Sequence, residues 1–131
     1  MSDSFVEPAI IEGYHAHVYY DPTTRAAAER LRGGLDERFA VLLGRWHDVP
    51  VGPHPISMYQ VAFSTAEFIR VVPWLMLNRG SLSILVHPLT GDDYEDHAHL
   101  ALWLGQQQPL LLDRLPRRRS PHRGGDTPSE G

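Results

Sequence analysis

The sequence predicts an α+β fold with one antiparallel sheet and its helices on a single sheet face. Three observations carry that expectation. Strand-forming and helix-forming stretches follow one another in the order strand, helix, strand, strand, helix, strand. The 131 residues, 42% of them hydrophobic, are one domain's worth and enough to bury a core. The first strand candidate also separates its residues cleanly between two faces. This is the ferredoxin-like βαββαβ arrangement, to which the sequence adds an extra C-terminal helix. A single catalytic domain over residues 1–115 and a flexible polar tail over 116–131 are expected, because PRRRSPHRGGDTPSEG has no apolar residue to pack.

The elements follow from local signals. In GYHAHVYYD, Val18, Tyr19 and Tyr20 favour a strand, Gly13 can open it and Asp21-Pro22 stops it, which predicts a strand over 14–20. Asp21-Pro22 then reads as an N-cap with proline at the first helical position. Leu31, Leu35 and Phe39 recur every four residues to give that helix an apolar face, with Gly33-Gly34 as its weak point. Residues 40–48 read as a second strand, VPVGPHP as a stiff loop holding His54, and ISMYQVAF (56–63) as a third strand. Ser64-Thr65-Ala66-Glu67 is a capping box for a helix through Leu77, kinked at Pro73 and closed by Gly80. SLSILVH (81–87) is the fourth strand, ended by Pro88. A last helix is expected over 94–104, with Asp92 and Glu95 capping it and Gly105 ending it.

Composition excludes several chemistries. Without cysteine there is no disulfide, thiolate nucleophile, zinc–cysteine site or iron–sulfur cluster, and without lysine no Schiff base. The formal charge of −4 and scattered arginines show no nucleic-acid face, and no apolar run approaches the ~20 residues of a membrane span. The start MSDSFVEPAI carries no signal segment, so a cytoplasmic location is expected. Histidine is the unusual component, with eight copies. A His-rich chain lacking cysteine leans toward a metal held by nitrogen and oxygen.

The histidine pattern narrows this. In a strand His15, His17 and Tyr19 share one face and Ala16, Val18 and Tyr20 the other, so the apolar set should meet the helices. The first strand should be central and antiparallel to the fourth, which brings His87 beside His15 and His17. His54 precedes the third strand, toward the opposite end of the sheet. One histidine on a strand is ordinarily a hydrogen-bonded packing or surface residue, but two on one face with a third beside them outline a metal site. On a helix His97 and His99 would diverge by roughly 200°, so at most one, His97, faces the site, as a proton donor or a partner of the ligands. In GDDYED a carboxylate could complete a two-His, one-carboxylate set, although helix capping already explains Asp92. His47 and His122 read as structural or solvated, and Trp46, Trp74 and Trp103 as core.

The segments GYHAHVYYD, LGRWHDVPVGPHPISMYQVAF, WLMLNRGSLSILVHPLTGDD and DHAHLALWLG, in this order and spacing, resemble the DOPA 4,5-dioxygenase family over residues 9 to about 112. The resemblance implies a ferredoxin-like fold, a non-haem Fe(II) and extradiol cleavage of a catechol such as L-DOPA. Carried over by motif, His15, His17, His54 and His87 become metal or active-site candidates, and the DH segment falls on Asp96-His97. Ligand type does not separate Fe(II) from Zn(II) or Mn(II).

The leading expectation is therefore an extradiol dioxygenase acting on a small catechol and O2, with His97 moving protons. The competing one is a non-catalytic metal- or ligand-binding module. A homodimer is expected as well, because the histidine face should stand open to water and a ten-residue helix spans only about 15 Å.

Overall fold

The protein is described by a computed structural model over residues 4–117. The sheet is built around β1 (Tyr14–Tyr19), which pairs antiparallel with both β3 (Met58–Phe63) and β4 (Ser83–Pro88). A short β2 (Leu42–Leu43) extends the β3 side and β5 (Leu102–Leu104) the β4 side, so the order is β2-β3-β1-β4-β5. With α1 (Arg25–Arg38) and α2 (Thr65–Asn78) on one face, this is the ferredoxin-like arrangement plus a fifth strand. α3 (Asp93–Ala98) follows β4.

Local chemistry explains most boundaries. Ser64 accepts from the Glu67 N–H and opens α2, which runs through Pro73 and is followed by Gly80 at φ 60°. α1 starts later than the Asp21-Pro22 signal suggests. The Asp21 carboxylate instead caps a preceding turn, accepting from the N–H groups of Thr23 and Thr24 at 2.9 and 3.0 Å, and the helix begins at Arg25. Gly34 stays helical because α1 and α2 approach closely there: a Cβ at this position would lie 2.7 Å from the Trp74 ring.

Two elements differ from expectation. Of the stretch 40–48 only Leu42–Leu43 is regular strand, after which Trp46 packs edge-on against Tyr20 and Tyr59. The expected helix 94–104 stops at Ala98, where His99 and Leu100 both donate to the Glu95 carbonyl, and Leu102–Leu104 then pair with the outer edge of β4. Pairing satisfies a sheet edge that would otherwise expose its amides, which outweighs helix propensity in ALWL. The tail expected over 116–131 lies, from residue 118 onward, outside the described residues, as does His122.

The two faces are packed separately. Ala16, Val18, Tyr20, Tyr59, Val61, Ile84 and Val86 meet Leu31, Leu35, Val71 and Leu75 of the helices. On the other face Tyr19, Met58 and Leu85 pack with Ile56, Trp103 and Leu110.

Candidate metal centre

Alternation along β1 sends His15 and His17 to the second face, and register sets their neighbours. His15 lies opposite His87 of β4, and His17 lies opposite Gln60 of β3. The expected adjacency of His15, His17 and His87 is therefore present: one nitrogen from each lies within 4.8 Å of the others. His17 Nε2 and His87 Nε2 are 3.1 Å apart, a spacing open to two ligands that each stand about 2.1 Å from one ion.

His54 is not at the far end of the sheet. Gly52 at φ 54° and the His54 N–H to Val51 carbonyl bond (2.9 Å) curl the 51–54 loop back over the sheet, and the Leu111 N–H to Pro53 carbonyl bond (2.8 Å) holds it there. Its ring centroid ends 4.3 Å from that of His17. His97 arrives on α3, 4.0 Å from the His87 ring. His17, His54 and His97 form a second group with nitrogens within 4.8 Å, so His17 belongs to both. His99 does not join: it caps α3, exposed, with its Nδ1 2.8 Å from Glu95.

The face is not open. His17, His54, His87 and His97 are 0, 0, 1 and 3% exposed within one chain. The His54 loop, α3 and the segment after β5 roof it together, the last tied down by a Ser83 hydroxyl donating to the Gln106 carbonyl. Cover for these four histidines comes from within one chain.

Burial sets the charge state. It pushes the pKa values of His17 and His87 well below the ordinary imidazole range, reinforced by the neighbouring histidines, and lowers that of His97 as well. His15 falls to about 4, from burial first and His97 second. A cluster that charged would repel itself stays neutral, the form that binds metals.

Backbone carbonyls orient two of the rings. His87 Nδ1–H donates to the Pro88 carbonyl (2.9 Å) and His97 Nδ1–H to the Asp93 carbonyl (2.8 Å), so both present an Nε2 lone pair. His17 Nδ1 and His97 Nε2 are buried with no hydrogen-bond partner among the described residues. Five clustered imidazoles, with His17 Nδ1 and His97 Nε2 unsatisfied, fit a metal ion better than they fit a packed core.

No carboxylate enters either group among the described residues. Asp92 caps α3 by accepting from the Glu95 N–H (3.0 Å). Asp96 accepts from the Thr90 N–H (3.0 Å) and hydroxyl (2.5 Å), clipping the turn after His87 to the helix of His97, and burial raises its pKa to about 6. Sequence reasoning passed over Tyr19, whose hydroxyl lies 2.7 Å from His54 Nδ1, and Gln60. Their face and register were the only signals available.

Residues 14–114 match the model of the Dopa 4,5-dioxygenase family. A DOPA 4,5-dioxygenase from Amanita muscaria is 39% identical over 115 residues, spanning 81% of this chain but only 50% of that protein. An uncharacterized 21.2 kDa protein from Botryotinia fuckeliana is 33% identical over 92% of this chain and 75% of its own length. The crystal structure of a "putative dioxygenase" from Nostoc punctiforme superposes with a TM-score of 0.83 at 55% identity, covering 84% of this chain and 96% of that one.

Proposed function

The chain belongs to the Dopa 4,5-dioxygenase family, and on that footing we propose a non-haem Fe(II)-dependent extradiol dioxygenase that opens the ring of a catechol such as L-DOPA or a related dihydroxyphenyl compound. The observation that carries this reading is the neutral, buried group of His15, His17 and His87, with His15 at its partly exposed edge. These three would hold the metal. Bound there, ferrous iron would supply the site for both catechol oxygens and for O2.

The remaining two histidines suit proton movement, and their surroundings set them in opposite senses. His97, donating through Nδ1 to the Asp93 carbonyl, offers an Nε2 lone pair to take a proton from a catechol hydroxyl. The Tyr19 phenol is buried, its pKa is raised by that burial, and its hydroxyl lies 2.7 Å from His54 Nδ1. With Tyr19 as the donor to Nδ1, His54 would carry its proton on Nε2 and could give it away. The dry roof shields these transfers from bulk water.

The test is anaerobic loading with Fe(II), then a panel of catechols with O2 readmitted. Stoichiometric oxygen uptake with a yellow ring-opened product is expected. Tight metal binding with no uptake on any catechol would favour a non-catalytic metal-binding module instead.

A further inference from the structure

Around the histidines, exposure is graded in one direction. On β4 Ser83, Leu85 and His87 are buried, and on β1 His17 and Tyr19 are buried, whereas His15, Gln60 and Ala62 at one corner of the same face are partly exposed. Small residues keep that corner open. Ala62 stands opposite His15, and the backbone of Gly44 donates to the Gln60 carbonyl at 2.7 Å. A Cβ on Gly44 would lie 3.4 Å from Gln60 Cβ, so the missing side chain leaves room beside Gln60.

Gln60 is the polar residue of this corner that packing does not explain. It sits directly across from His17, where opposed Cβ atoms are about 5 Å apart. Its Oε1 is buried and has no hydrogen-bond partner among the described residues. A buried amide oxygen without a partner is costly and calls for a reason. Register places its side chain on the same sheet face as His17 and His15.

We propose that Gln60 is a substrate-contacting residue whose carboxamide oxygen accepts a hydrogen bond from a ring hydroxyl of the catechol entering past His15. This rests on the dioxygenase reading of the same site and adds the residue that orients the ring. A neutral acceptor suits this role, because a carboxylate there would repel the ring oxygen that has given up its proton, and an apolar side chain would leave the remaining hydroxyl unpaired.

The experiment compares the Fe(II)-loaded parent with Gln60→Met, which keeps side-chain length and removes the amide. Gln60→Leu serves as a second variant against misfolding of the first. The probe is 4-methylcatechol, which has no charged side chain, titrated anaerobically by calorimetry and then assayed for oxygen uptake. Both variants should bind Fe(II) as the parent does, with an unchanged thermal midpoint, while catechol affinity falls about tenfold. A merely structural role would instead move the midpoint or the iron content. Catechol affinity within twofold of the parent in an iron-replete variant overturns the Gln60 assignment alone. A parent that binds iron but no catechol overturns the dioxygenase reading and this assignment together.

Discussion

The two faces of the sheet are both buried at their centres and differently satisfied. On the helix face Ala16 and Val18 of β1 are buried in a largely apolar cluster whose buried tyrosine hydroxyls are paired, Tyr59 donating to the Ala28 carbonyl at 2.8 Å and Tyr20 to the Asp48 carboxylate at 2.7 Å. On the other face His17, one residue away, is as fully buried, yet its Nδ1 has no partner among the described residues and its neighbours are imidazoles. The helix face is arranged for stability. The histidine face keeps polar atoms dehydrated and available, an arrangement that costs stability and is useful only if something binds there.

Substitutions on β1 test that division directly. His17→Ala should cost the most function: it removes the imidazole common to both groups, so iron should be lost and oxygen uptake should fall by about a thousandfold or more, with the circular dichroism of the fold retained. Iron bound as tightly as in the parent would remove the site from this face. His15→Ala should be milder, about ten- to a hundredfold in iron affinity, because His15 stands at the partly exposed edge of its group and the buried pair His17 and His87 remains; equal losses from the two variants would show that His15 holds the ion as firmly as His17 does.

Crossing to the helix face reverses the pattern of losses. Val18→Ala should lower unfolding free energy by about 2 kcal/mol, for two buried methyl groups and the cavity they leave, while iron per folded molecule stays constant. Denaturant titration checks the first part and metal analysis the second. A Val18→Ala protein that is stable but iron-poor would mean that the faces are mechanically coupled. His99→Ala should change least, within about 0.5 kcal/mol and twofold in turnover, because its exposed contact with Glu95 lies outside both groups; thermal denaturation and oxygen uptake check it.

Assembly reads differently once the face is closed. One chain already covers its inner histidines, so the expected homodimer is not required to shield them. The exposed apolar residues Ile69, Met76 and Leu77 lie on α2, against the opposite side of the sheet. Among the described residues no helix is long and apolar enough to cross a membrane.

Period-two alternation was enough to separate Val18 from His17, and capping signals were enough to begin α2 at Ser64, because both are contests among neighbouring residues. The strand order, the pairing of His15 with His87 and the divergence of His97 from His99 followed from those local rules once the topology was known. What local rules could not supply was the roof. Whether ALWL continues a helix or pairs with β4 depends on a vacant sheet edge more than ten residues away in the chain. The 51–54 loop likewise folds over His17 through a bond to Leu111, nearly sixty residues downstream, and this makes His54 a neighbour of the site and keeps water off it. Local sequence dictates which side chains face each way. Which of them are brought together, and how dry they are, is settled by the folded chain, because burial depends on long-range contacts that no local spacing encodes.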